Sequence, residues 1–167
     1  MRQARPFNVL VLCTGNSARS ILGEALFNAL GNGRVVAYSA GSKPAGRVNP
    51  FALELLQQRG HGIAGLRSKS WGEFAAPGAP EFDFIFTVCD NAAGEACPFW
   101  PGKPATAHWG IPDPAGVAGD DEAKREAFRK AYERLARRIQ MFMRLPIEKL
   151  DKRTLKEKLA EIGRIED

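Results

Sequence analysis

Cys13 and Arg19 stand at a Cys-x5-Arg spacing within Cys13-Thr14-Gly15-Asn16-Ser17-Ala18-Arg19-Ser20. Bent into a tight loop, such a stretch turns several backbone N–H groups toward one point and can cradle a tetrahedral oxyanion. The positive end of a helix beginning just after it strengthens that field. Arg19 offers a planar fork to two anion oxygens, a geometry that lysine does not match. Gly15, and to a lesser degree Asn16, is expected to take up the positive φ that the loop demands. The expected oxyanion cradle therefore runs through Thr14, Gly15, Asn16, Ser17, Ala18, Arg19 and Ser20.

The same field acts on Cys13. A free thiol has a pKa of ~8.5. Amides, a helix N-terminus and a guanidinium can lower it to ~3.5–7.5, which makes the sulfur a ready nucleophile. Ser20 is placed to donate a hydrogen bond to that thiolate. The plainer alternative is a buried cysteine that closes a core strand, and the company of Gly15, Arg19 and Ser20 argues against it.

Three more residues could take part in chemistry. Asp113 lies in Pro112-Asp113-Pro114, a rigid turn that would hold a carboxyl at the defined angle proton transfer requires. A turn-forming aspartate without chemistry is the alternative. Cys89 and Cys97 could fill the core, act as redox thiols or bind zinc. Zinc is disfavoured, because there is no Cys-x2-Cys pair and only His61 and His108 could complete a site. No nucleotide loop of the form G-x-x-x-x-G-K-[ST] occurs, nor G-x-S-x-G, nor H-E-x-x-H. Trp71, Trp100 and Trp109 are scattered, which suits packing better than a base-stacking platform.

The elements that must position these residues read as alternating strands and helices. Val9 to Leu12 is a short apolar run, expected as a strand buried on both faces in a parallel sheet. Ile21, Leu22, Ala25, Leu26, Ala29 and Leu30 recur at helical spacing, and Gly31-Asn32-Gly33 supplies the stop. Val35 to Tyr38 predicts a second strand ending at Ala40-Gly41, and Pro50 opens a helix halted near Gly60. Phe82 to Val88 predicts a third strand ending at Cys89, after a Gly/Pro/Ala loop over 72–80. Ala105 to Ile111 is a weaker fourth strand. An amphipathic helix is expected from about Asp120 to Phe142, ended by Pro146. A last helix would start on a capping box of Thr154 and Glu157. These elements predict an α/β fold, one three-layer domain over 1–145 with a central, mostly parallel four-stranded sheet, followed by a helical C-terminal extension over 146–167.

Composition bounds the rest. The chain has 167 residues, 44% hydrophobic and 26% charged, which suits one domain with a buried core and excludes disorder, collagen and coiled coil as its theme. A net charge of +5 without a dominant basic run is a mild lean toward anionic partners and gives no case for nucleic acid. Three cysteines do not make a disulfide-stapled secreted scaffold. The run before Cys13 is too short for a signal segment and carries bulky Leu12 where cleavage needs a small residue. No stretch approaches the ~20 apolar residues of a membrane span. A cytoplasmic protein without membrane partners, its thiols reduced, is expected.

Val9 to Ser20, read V-L-V-L-C-T-G-N-S-A-R-S, resembles the active-site loop of the low-molecular-weight tyrosine phosphatase fold. Tyr38-Ser39-Ala40-Gly41, Thr87-Val88-Cys89-Asp90-Asn91 and His108-Trp109-Gly110-Ile111-Pro112-Asp113-Pro114-Ala115 narrow that resemblance to its arsenate reductases, from about Phe7 to Phe142. The resemblance implies reduction of arsenate to arsenite, with phosphate or sulfate as analogue. Cys13 would attack arsenate, Cys89 would attack the Cys13 sulfur and release arsenite, and Cys97 would then move the disulfide outward. Asp113 would be the acid. An external thiol system, thioredoxin or glutathione/glutaredoxin, would supply electrons, with no bound cofactor. A phosphotyrosine phosphatase and a redox or oxyanion-sensing binding protein are the alternatives. Ala115-Gly116 after the Asp-Pro pair leaves no aromatic wall for a phosphotyrosine ring. Ala18 replaces a second loop cysteine of many relatives, and the Cys89-to-Cys97 spacer is one residue longer than in the best-known thioredoxin-coupled members. Asn16, Glu24 and Ser39 match part of a cation site of some relatives, but Lys69 or Ser70 stands where a carboxylate would help, so no metal is expected.

Overall fold

Phe7–Cys13 forms β1 in the computed structural model, which describes residues 5–89 and 104–165. Val9, Leu10, Val11 and Leu12 are each fully buried, because β1 is hydrogen-bonded on both edges and covered on both faces. β2 (Val35–Gly41) lies on one side of it; β3 (Phe84–Thr87) and then β4 (Ala105–His108) lie on the other. The order is β2-β1-β3-β4, and every pairing is parallel. The expected mostly parallel sheet is thus parallel throughout the described residues. Parallel strands all deliver their C-terminal ends to one edge. Cys13 pairs with Gly41 there, while Leu12 faces Thr87 and Thr87 faces His108.

Four helices supply the larger core: α1 (Arg19–Leu30), α2 (Pro50–Gln58), α4 (Asp121–Met143) and α5 (Lys152–Gly163). Phe27, Phe86, Trp109 and Phe142 meet in one aromatic cluster, with Phe86 and Trp109 ring centroids 4.1 Å apart. Leu155, Leu159 and Ile162 of α5 join the same core. On the other face Leu10, Leu12, Ala40, Phe82 and Ile85 pack under Tyr38, Trp71 and Phe74.

Two local expectations are corrected. The stretch from Gly72 is not wholly loop: α3 (Gly72–Ala75) forms a single turn. Phe74 seats its ring on Tyr38 and Phe82, and Glu73 takes both guanidinium arms of Arg67 at 2.9 and 2.6 Å. Tertiary contacts thus override a Gly/Pro-rich composition. Thr154 does not cap α5. Asp151 does, accepting the Thr154 N–H at 2.7 Å, so Thr154 already lies within the first turn. A carboxylate three residues earlier is the better acceptor. No helix among the described residues is long and apolar enough to cross a membrane.

Candidate active site

The loop after β1 is held from outside by its carbonyls. Lys43 N–H donates to Thr14 O, Ala45 N–H to Gly15 O and Asn49 N–H to Ser17 O, each at 2.9 Å, and Ser68 Oγ reaches Gly15 O at 3.1 Å. With the carbonyls tied outward, the N–H side of the loop faces inward. Nothing acidic lies in the first turn of α1 and no side chain caps it, which leaves its terminal donors for a guest anion.

Asn16 rather than Gly15 takes the left-handed backbone, at φ 47°. Its buried amide makes that conformation worthwhile. Nδ2 donates to Ser20 Oγ at 2.8 Å and Ser39 Oγ at 3.0 Å, while Oδ1 accepts the Lys69 N–H at 2.9 Å. Glycine has no side chain to make these bonds. The hydroxyl of Ser20 is correspondingly engaged by Asn16, and among the described residues no hydrogen bond joins it to Cys13. Ser20 steadies the loop instead of touching the sulfur. Lys69 Nζ lies 3.4 Å from Asn16 Oδ1, 2.7 Å from Arg67 O and 3.8 Å from Glu24 Oε1, and Ser39 Oγ donates to Glu24 at 2.5 Å. An ammonium therefore sits behind the loop. Burial pushes the Glu24 carboxyl up and the Lys69 amine down, against their mutual attraction.

Cys13 and Cys89 are free thiols, 5% and 2% exposed. Cys89 follows β3 at the same sheet edge. The Thr14 N–H donates to Cys89 Sγ at 3.2 Å, and Thr14 Oγ1 lies 3.4 Å from the same sulfur. The expected lowering of the Cys13 pKa is not what this arrangement produces. Its hydrogen bond with Cys89 pushes the thiol up most, followed by burial and the Cys89 charge; Arg19 and the Gly15 N–H oppose them and do not prevail. The expectation weighed the loop alone, whereas a second sulfur is held against Thr14, the residue that follows Cys13.

Arg19 completes the mouth. Nη1 donates to Ile111 O at 3.0 Å, and Nη2 lies 3.7 Å from Asp113 Oδ2. Its Nε is buried without a hydrogen-bond partner among the described residues, a donor left over for an oxyanion. Asp113 is half-exposed. Its Oδ1 caps a 3-10 turn over Pro114–Gly116 by accepting the Ala115 N–H at 3.0 Å, so Oδ2 is the oxygen turned to Arg19. Cys97 lies outside the described residues. A groove of about 590 Å³ runs between 112–117 and α4; Asp113 lines its edge but Cys13 does not line it, so the chemistry belongs to the loop. Sequence reasoning missed Arg138 and Ser68. Arg138 falls on the apolar stripe of Leu135, Ile139 and Phe142, and a charge on a buried stripe was the available signal.

A parallel α/β sheet that presents a thiol on an anion-cradling loop, with an arginine and a carboxyl at its mouth, defines a class of cysteine enzymes that handle tetrahedral oxyanions. The chain belongs to the low molecular weight phosphotyrosine protein phosphatase family, whose pattern matches residues 8–158. Within it, the chain is 34% identical to an arsenate reductase of Halalkalibacterium halodurans over 134 residues, 80% of this chain and 93% of that protein. The solved arsenate reductase of Archaeoglobus fulgidus overlays with a TM-score of 0.58 at 33% identity, covering 78% of this chain and 98% of that one. A thioredoxin-dependent arsenate reductase of Corynebacterium glutamicum overlays with a TM-score of 0.54 at 28% identity, covering 83% and 64%.

Proposed function

We propose that this chain reduces arsenate to arsenite with its own cysteines. The observation that carries the reading is the pair of free, buried thiols, Cys13 and Cys89, brought to one sheet edge, where Cys89 Sγ accepts the N–H of Thr14, the residue next to Cys13. Phosphate ester hydrolysis needs one thiolate, whereas reducing arsenic(V) to arsenic(III) needs two electrons, which a dithiol supplies on becoming a disulfide. Relatives named arsenate reductase support the same choice over a phosphatase.

An arriving arsenate takes the loop N–H groups and the Arg19 donors. In claiming the Thr14 N–H it competes with Cys89 and loosens the contact that holds the proton on Cys13, which then passes to an arsenate oxygen. Cys13 Sγ attacks arsenic. An S–As bond forms, an As–O bond breaks, and Asp113 gives its proton to the departing oxygen, which leaves as water. Cys89 gives up its proton, which restores the Asp113 carboxyl, and its Sγ next attacks Cys13 Sγ. The S–As bond breaks with its electron pair remaining on arsenic, so arsenite leaves and a Cys13–Cys89 disulfide remains. Cys97 attacks Cys89, frees Cys13 and moves the disulfide outward. An external dithiol reduces it. The sum is arsenate and two thiols giving arsenite, water and a disulfide. We assign the donor to a thioredoxin-type protein, with glutathione/glutaredoxin the other candidate, and place the reaction in the cytoplasm, where such donors work.

The test measures arsenite release with each donor in parallel, beside hydrolysis of an aryl phosphate. Cys13→Ser is expected to lower arsenate turnover about a thousandfold or more. Cys89→Ser is expected to bind arsenate and form the Cys13 adduct without turning over. Multiple turnovers by Cys89→Ser would defeat the relay. Aryl phosphate hydrolysis faster than arsenate reduction, indifferent to Cys89→Ser, would make the chain a phosphatase.

A further inference from the structure

The segment from Trp109 to Asp113 is gripped from two sides. From the loop, Arg19 holds Ile111 O. From the opposite side comes Arg138 of α4, a guanidinium in a residue only 7% exposed. Its Nη1 donates to Trp109 O at 3.1 Å and to Gly110 O at 3.2 Å, and its Nη2 donates to Ile165 O, just past α5, at 3.1 Å. A planar, permanently charged fork fixes the direction of three carbonyls at once, which a single point charge does not.

α5 reinforces the same segment. The indole N–H of Trp109, a fully buried residue, donates to Leu159 O at 2.9 Å. Gly163, at the end of α5, lies so close to the segment that a Cβ there would stand 2.7 Å from His108 O and 2.8 Å from the Trp109 ring. Past this grip the chain has little freedom left. Ile111 N–H donates to Val88 O at 3.1 Å, and Pro112 and Pro114 fix their own φ on either side of Asp113.

We propose that Arg138 is a positioning residue for Asp113. It ties the backbone just before the acid to α4 and to the end of α5, so the C-terminal helix becomes a strut that sets where the carboxyl stands over the loop. The inference rests on the proton-donor role assigned to Asp113 above. Catalytic carboxyls tolerate little displacement, and an error near 1 Å costs on the order of a hundredfold.

Two variants test it, each first checked for a native melting transition. Arg138→Lys keeps a charge and loses the fork. Trp109→Phe keeps the aromatic packing and loses the bond to α5. Arg138→Lys is expected to lower kcat for arsenate about tenfold, and Trp109→Phe about threefold. In both, KM and the affinity for phosphate stay within about twofold, because the loop itself is not touched. In an Asp113→Asn background the same changes are expected to cost nothing further, since the group they position is gone. A general loosening of the fold would instead weaken phosphate binding and add its loss in that background. Wild-type kcat in folded Arg138→Lys and Trp109→Phe, beside an impaired Asp113→Asn, overturns the strut alone. Wild-type kcat in Asp113→Asn removes the acid and the strut together. Should the chain hydrolyse aryl phosphates in place of reducing arsenate, the same cycle is read on that reaction, which calls on the same acid.

Discussion

At Cys13 two influences of opposite sign meet, and the larger one prevails. Arg19 and the Gly15 N–H favour a thiolate, but Cys89 and burial favour the thiol. Removing Cys89 as Cys89→Ala takes away the largest upward cause. The Cys13 pKa is then expected to fall, so the rate of alkylation by iodoacetamide climbs at a lower pH than in the wild type. An unmoved profile would mean that Cys89 does not hold the proton. From residue types alone a candidate nucleophile, its arginine and a candidate acid were legible, because Cys-x5-Arg and Pro-Asp-Pro are local patterns. What a second sulfur does to the first was not, since 75 residues separate Thr14 from the Cys89 that it contacts. Asn16 teaches the same lesson. Glycine is the general answer for positive φ, and it lost here to an amide whose partners, Ser39 and Lys69, arrive from β2 and from the segment before α3.

Among elements, the end of β2 sets the shape of the loop. Gly41 lies against the loop so closely that an added Cβ would collide with Thr14 O, a backbone atom that cannot swing aside. Gly41→Ala is therefore expected to cost about 2 kcal/mol of stability through overpacking. Because the displaced atom belongs to the cradle, phosphate affinity should drop as well, read by urea melts and titration calorimetry. A stable variant with unaltered phosphate affinity would show that the loop is not shaped from β2. Strands and long helices were readable from periodicity, and α1, β2 and α4 begin and end close to the expected positions. Short elements were not. α3 depends on Phe74 finding Tyr38 and Phe82, and the start of α5 turned on choosing between two capping residues three apart.

For the whole molecule, parallel topology is what brings separate stretches of sequence to one place. The loop after β1, Cys89 after β3 and Asp113 after β4 meet because each leaves its strand at the same edge. That convergence followed from the alternating pattern. The brace behind it did not, since Arg138 and Gly163 act through contacts 28 and more residues away from the segment they hold. A ligand that binds only the assembled edge must stabilise the fold. Inorganic phosphate at about a hundred times its Kd is expected to add about 2.7 kcal/mol, seen as a rise in Tm that grows with phosphate concentration. Arg19→Ala should abolish most of that rise, and a concentration-independent Tm would deny the cradle its anion.

The near-complete burial of Cys13 and Cys89 reaches beyond the catalytic cycle. Two thiols buried at one sheet edge are wired to short-circuit, yet bulky disulfides and most electrophiles in a cell are too large to approach them. Reducing power stored in the pair can drain only into a visitor small enough to enter the cradle and negative enough to be kept there.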